Sequence, residues 1–163
     1  MKMSEVPSWC WVSVLAKATE STTVRSFYPF ITSFAAAMGV TKEAVALCIS
    51  LKEVGYSITP LLGPWLRGKS SAQTVRVGGG LVVAACVALI GIVEVFWVFA
   101  LAVFVVGAAK SLSETGTQML LTEYIPREDV GCAVAVVEIA WGVSSLIGVP
   151  LFGLLMAVTW SLP

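Results

Sequence analysis

The chain has 163 residues, of which 58% are hydrophobic and 12% are charged, whereas soluble domains carry about 25% charged residues. Ten basic and ten acidic residues give a net charge of zero, which argues against a nucleic-acid partner, and the lack of histidine excludes histidine catalysis and histidine metal ligands. This composition is typical of a protein that crosses a membrane several times.

Long apolar stretches predict the membrane spans, since about 20 apolar residues are enough to cross a bilayer. Five spans are predicted in chain order, at residues 9–39, 43–66, 77–93, 95–121 and 130–158. The first span is interpreted as one long helix whose polar middle carries Lys17, Glu20 and Arg25. An alternative start near Val24 would leave Lys17 and Glu20 in solvent.

The short loop after the second span carries Arg67, Lys69 and Arg76. Short loops rich in lysine and arginine stay on the cytoplasmic side of a membrane. With five spans, this loop predicts a cytoplasmic N-terminus and a C-terminus on the opposite face.

The four cysteines, Cys10, Cys48, Cys86 and Cys132, fall singly in four different segments, without the paired spacing of a zinc or redox site. They are interpreted as small residues that pack helices together. The sequence contains no nucleophile with a base, no metal-ligand cluster and no phosphate loop. We therefore expect neither an enzyme nor a bound cofactor or metal.

The last predicted span carries a single acid, Glu138. A carboxylate at that depth costs about 2.5–3.5 kcal/mol unless it finds a partner or water, so it marks either a solute path or a buried ion pair. We expect its partner to be a cation of a facing helix, with Lys52, Lys110 and Arg25 as the candidates.

Charged residues recur in every span except the third, which favours a central path faced by the other four spans. The residues predicted at membrane depth are Lys17, Glu20, Arg25, Lys52, Glu53, Lys110, Glu114 and Glu138. Lys110 and Glu114 lie one helical turn apart, so an ion pair within the helix is the alternative to a role in solute binding. Likewise, Arg25, Lys52 and Lys110 are either solute-binding cations or partners of the glutamates.

A weak internal repeat relates the second span to the fifth, because residues 59–63 resemble residues 149–153. Similar short matches relate the first span to the fourth. Three spans echoed by the spans that follow predict a 3+3 inverted repeat, as in secondary transporters. At the same offset a sixth span would begin just beyond position 163, so we expect a chain truncated before it.

Several motifs in combination resemble the major facilitator superfamily, in a branch with an R-x-x-Y-P-F first helix. In this chain the motif is formed by Arg25, Tyr28, Pro29 and Phe30, and the resemblance runs from about residue 15 to 160. Further matches are Lys110, Gln118, Pro126, Gly131, Glu138 and Trp141, and Lys52 stands where the family usually has an arginine.

The resemblance implies an all-α membrane protein that forms part of the N-terminal half of a twelve-helix transporter. Residues 1–163 would be a single truncated bundle, with five spans of a six-helix unit. A substrate or ion path is implied along this bundle. The candidate residues of that path are Arg25, Tyr28, Lys52, Glu53, Lys110, Glu114, Gln118, Glu138 and Trp141.

Two cytoplasmic loops depart from the family pattern, because Arg67 stands where the family has an acid and Val130 stands where it has a base. A gate contact of reversed polarity is one interpretation. Anchoring of Arg67 and Lys69 at lipid headgroups is the other. The candidate gate residues are Arg67, Lys69, Glu123, Arg127, Glu128 and Asp129.

Two functions follow from these observations. The first is secondary transport of a small solute across a lipid bilayer, with proton coupling left open, carried out with a missing second half or another membrane chain. The second is a truncated, non-transporting membrane protein that binds or regulates a full-length relative. In the first case the chain by itself is not expected to transport, since alternating access needs two bundles around one site.

Overall fold

The computed structural model describes residues 7–62, 70–93 and 95–159. Within these ranges the chain is helical and no strand occurs, which confirms the expected all-α fold. The α-helices of the described ranges are α1 Ser8–Ser26, α2 Ile31–Met38, α3 Lys42–Ile58, α4 Ala72–Ile92, α5 Phe96–Tyr124, α6 Val130–Val143 and α7 Val149–Thr159. A 3-10 turn, Thr59–Leu62, extends α3, and a π-helical turn, Ser144–Gly148, joins α6 to α7.

Four helical stretches of the described ranges are long and apolar enough to cross a membrane. They are Lys42–Leu61, Ala72–Ile92, Phe96–Tyr124 and Val130–Leu155. These stretches overlap the second to fifth predicted spans. Helix α1 has 19 residues, or roughly 28 Å at 1.5 Å per residue, but it also carries three charged side chains.

The first predicted span is two helices, so the expectation of one uninterrupted helix over residues 9–39 is wrong. Helix α1 ends at Ser26 and α2 begins at Ile31, with turns between them. Pro29 lies in this break, where it lacks a backbone N–H and disfavours a helical conformation at the residue before it. Gly39 then ends α2 in the left-handed region, with φ of 64°.

The chain forms two compact units. The first, here called the terminal unit, comprises the residues up to Ser26 and those from Leu121 onward. In it, one stripe of α1 packs along α6 and α7. The apolar core of this unit consists of Cys10, Val14, Ala18, Leu121, Ile125, Ala133, Val136, Val137 and Ala140. Most of these side chains are small, which lets the helices approach closely.

The second, here called the central unit, comprises residues 27–120 and contains α2, α3, α4 and most of α5. Helices α3 and α5 come close at Gly107, where an added Cβ would lie 2.1 Å from the carbonyl oxygen of Lys52. Helices α4 and α5 come close at Gly79, where a Cβ would lie 2.6 Å from the carbonyl oxygen of Ala109. At these two positions the absence of a side chain therefore lets the helix backbones approach closely.

Candidate functional site

Glu138 is paired, as expected, with a cation of a facing helix. Its Oε1 atom lies 2.6 Å from Nζ of Lys17, which reaches it from α1. The Lys17 side chain is 9% exposed and the Glu138 side chain is 46% exposed. The lysine thus depends on this contact, whereas one side of the carboxylate is open.

The named candidates for that partner were wrong, because Glu138 pairs with neither Lys52, Lys110 nor Arg25. Lys52 and Lys110 pair with glutamates of the central unit. Arg25 lies two helical turns beyond Lys17 on α1 and contacts Trp141 instead. The sequence identifies the charged positions of each helix but leaves open the height at which two helices face each other.

Arg25 and Trp141 form the second contact between α1 and α6. The guanidinium carbon lies 4.1 Å from the centroid of the indole ring, which is a cation–π arrangement. Nη1 of Arg25 also donates a long hydrogen bond, 3.4 Å, to the carbonyl oxygen of Trp141. Trp141 is 40% exposed, so the stacked pair is accessible from outside the unit's core.

A π-helical turn follows Trp141 directly. The hydroxyl groups of Ser144 and Ser145 each donate to the Trp141 carbonyl at 2.9 Å. The N–H of Val149 bonds to the carbonyl of Ser144, five residues earlier, as a π-helix requires. Pro150 comes next, and a wider turn before it accommodates a ring that would otherwise crowd the carbonyl four residues back. The helix therefore widens over Ser144–Gly148 and continues through Pro150 into α7.

The central unit holds a second polar cluster, built on Lys52 and Glu53 of α3. Nζ of Lys52 lies 2.8 Å from Oε1 of Glu53. The hydroxyl of Tyr28 donates to the same carboxylate oxygen and accepts from Nζ of Lys52 at 3.2 Å. Lys52 is 3% exposed whereas Glu53 is 51% exposed, so the cluster buries its cation and presents its anion.

Lys110 and Glu114 form an ion pair within α5, as the alternative interpretation of their spacing predicted. Nζ of Lys110 lies 2.6 Å from Oε1 of Glu114, and both side chains are largely buried. The hydroxyl of Tyr56, from α3, donates to the other oxygen of Glu114. Each lysine–glutamate pair of the central unit is thus completed by a tyrosine hydroxyl.

Two residues of these clusters were missing from the predicted path, Lys17 and Tyr56. Lys17 was predicted to lie at membrane depth, but it was left out of the path because its pairing with Glu138 was not foreseen. Tyr56 lies one helical turn after Lys52 on α3, and this spacing was the available signal. Gln118, a predicted path residue, is exposed near the end of α5.

The predicted gate residues are only partly covered by the structure. Arg67 and Lys69 lie outside the described residues, and the proposed contact of Arg67 stays a prediction. Glu123, Arg127 and Glu128 are exposed around the turn between α5 and α6. Asp129 stands at the start of α6, where its side chain makes no capping hydrogen bond.

Comparison with curated proteins and with solved structures gave no significant match. A family model, the Major Facilitator Superfamily, matches residues 13–163. This match covers the three lysine–glutamate ion pairs and all four of the long apolar stretches. The assignment to a branch with an R-x-x-Y-P-F first helix stays a prediction. The chain therefore belongs to the major facilitator superfamily of transporters and is an integral, multi-pass membrane protein.

Proposed function

We propose that the chain serves secondary transport of a small solute and that its deep ion pairs line the solute path. The observation that carries the proposal is the tyrosine-completed pairing of Lys52 with Glu53 and of Lys110 with Glu114. These pairs lie within helices that are long and apolar enough to cross a membrane.

The energetic argument favours a functional reason for these charges. A charged side chain near the middle of a bilayer costs about 2.5–3.5 kcal/mol on insertion scales. Replacing a buried ion pair by apolar residues of similar volume is often neutral or stabilising. Packing alone therefore gives no reason for two such pairs in one unit, whereas a polar solute needs polar groups along its path.

The arrangement also indicates which group a solute or proton would reach first. Lys52 is buried, whereas the side chain of its partner Glu53 is 51% exposed. Protonation of Glu53, or its displacement by a solute, would release Lys52 and the Tyr28 hydroxyl for new hydrogen bonds.

Solute uptake tests the proposal in vesicles from cells that express the gene, with radiolabelled sugars, amino acids, organic acids and nucleosides. We expect Lys52→Met to reduce saturable uptake at least tenfold. Lys42→Met is the matched control, since Lys42 is exposed at the start of the same helix. Equal losses in both variants would show that Lys52 has no special role.

A second arm uses the purified 163-residue chain in liposomes. If the chain needs a second bundle, flux is absent here and present in the vesicles. Absence of uptake in both arms for every solute class would reject transport. It would favour the alternative, a membrane protein that binds or regulates a relative.

A further inference from the structure

Arg25 is the deep cation that no carboxylate neutralises within the described ranges. The other three cations predicted at membrane depth, Lys17, Lys52 and Lys110, each form a salt bridge. Arg25 contacts the ring and the carbonyl of Trp141 and forms no salt bridge with a described acid.

The acids nearest to Arg25 in the terminal unit do not compensate it. Glu138, one turn before Trp141 on α6, is bound to Lys17 at 2.6 Å. Glu20 precedes Arg25 by five residues on α1, which places it about 140° away around the helix axis. No acid among the described residues therefore matches the positive charge of Arg25 where it meets Trp141.

The carbonyl of Trp141 does not hold Arg25 strongly either. It already accepts the hydroxyl groups of Ser144 and Ser145 at 2.9 Å, and the backbone N–H of Ser144 points to it as well. The bond from Arg25 is the longest of the set, at 3.4 Å. One donor of the guanidinium is thus weakly engaged, and its remaining donors have no acceptor among the described side chains.

The contact with the Trp141 ring leaves those N–H donors available to a ligand. The guanidinium carbon of Arg25 lies 4.1 Å from the centre of the Trp141 ring. The N–H groups of a guanidinium project from the edge of its plane. Two parallel N–H groups on such an edge match the two oxygens of a carboxylate or phosphate. Because Trp141 is 40% exposed, a small ligand can approach this edge without unpacking the core.

We propose that Arg25, held against the ring of Trp141, binds the anionic group of the transported solute, which is therefore a small organic carboxylate or phosphate monoester. The inference rests on the transport function proposed above and assigns its substrate class. Trp141 is the positioning residue, because both its ring and its carbonyl oxygen contact the guanidinium. Arg25 lies in the last turn of α1, where the helix dipole favours a cation. The dipole does not occupy the N–H donors of the guanidinium.

Equilibrium binding to the full chain in a maltoside detergent tests this proposal. The probes are benzoate and phenyl phosphate, with benzyl alcohol and benzylamine as neutral and cationic counterparts, followed by the rise in the midpoint of thermal unfolding. We expect only the two anions to stabilise the protein. Arg25→Gln should weaken their binding roughly tenfold to a hundredfold, the range for loss of a charge-assisted hydrogen bond.

Two further variants protect the test against misfolding. Arg25→Lys keeps the charge but loses the fork, so its affinity should lie between those of wild type and Arg25→Gln. Arg76→Gln makes the same change in charge within the central unit and should bind the anions as the wild type does. Equal anion affinity in wild type and Arg25→Gln would overturn the proposal.

A lipid phosphate is the other source of the same chemistry, and a separate arm distinguishes it. Phosphatidylglycerol is added to the detergent-solubilised protein, and benzoate is then used as a competitor. Competition supports a solute site. Stabilisation by the lipid alone, with no effect of either soluble anion, would make Arg25 a lipid anchor and would reject the proposal.

Failure of this inference differs from failure of transport. Uptake of a neutral or cationic solute that is unaffected by Arg25→Gln would reject the substrate class and leave transport intact. Anion binding that depends on Arg25, without uptake of any anion, would reject transport and leave the binding site.

Discussion

Lys17 and Glu138 differ in how much each depends on the other. Lys17 is 9% exposed, and among the described acids it forms a salt bridge with Glu138 alone, whereas nearly half of the Glu138 side chain is open. A buried polar group that loses its partner costs about 1–3 kcal/mol. The loss should therefore be larger when the acid is removed than when the lysine is removed.

We predict that Glu138→Gln lowers stability by about 1–3 kcal/mol because it strands the buried Lys17. Lys17→Met should be milder, and the double variant Lys17→Met with Glu138→Gln should recover part of the loss. The measurement is the midpoint of thermal unfolding of each purified variant in detergent. Additive losses in the double variant would mean that the two residues are not coupled.

At this scale the sequence predicts the need for a partner but not its identity. The cost of a lone charge in the bilayer is a local property, so Glu138 could be identified as paired. The partner lies 121 positions earlier in the chain, and its choice depends on the relative height of α1 and α6. Tyr56 was missed for the same reason, since its acceptor belongs to another helix.

Gly107 allows helices α3 and α5 of the central unit to lie close together. At Gly107 the nearest atoms to an added Cβ are the carbonyl oxygen and carbon of Lys52, at 2.1 and 2.9 Å. Both are backbone atoms, so a side-chain rotation cannot relieve the contact. Separation of α3 and α5 is the remaining response, and it would shift Tyr56 of α3 away from Glu114 of α5.

We predict that Gly107→Ala destabilises the protein by about 1–3 kcal/mol, the usual cost of overpacking, and reduces solute uptake as Lys52→Met does. Gly78→Ala is the control, because nothing lies within 4 Å of the Cβ it would add on α4. That variant should be as stable as the wild type, since alanine is also the better helix former. Equal behaviour of the two variants would show that the α3–α5 spacing is not constrained by Gly107.

Helix interruptions were predicted less well than helix existence. Pro29 breaks the first predicted span because α1 ends before it and α2 starts after it. Pro150 has a smaller effect, since the π turn before it keeps the helical path continuous. Proline marks both sites in the sequence, but packing around the turn decides whether the helix ends or widens.

For the molecule as a whole, the number of membrane spans depends on whether α1 crosses the membrane. Helix α1 has the length of a span, yet Lys17, Glu20 and Arg25 make it far more polar than the four apolar stretches. Two of these charges face α6, where Lys17 meets Glu138 and Arg25 meets Trp141. Charges turned toward a neighbouring helix are compatible with a membrane span, because they are shielded from lipid.

We predict that α1 together with α2 crosses the membrane, which gives five spans and a cytoplasmic N-terminus. Single cysteines at Ser8 and Ser70, in a chain without its native cysteines, test this with a membrane-impermeant thiol reagent. In a protein with five spans, α1 with α2 crosses the membrane outward and α3 crosses back. Both cysteines then lie on the cytoplasmic side. Neither should then react in sealed cells, and both should react after permeabilisation. Labelling of Ser8→Cys alone in sealed cells would mean four spans, with α1 and α2 on the outer face. Labelling of Ser70→Cys in sealed cells would reverse the orientation inferred from the basic loop.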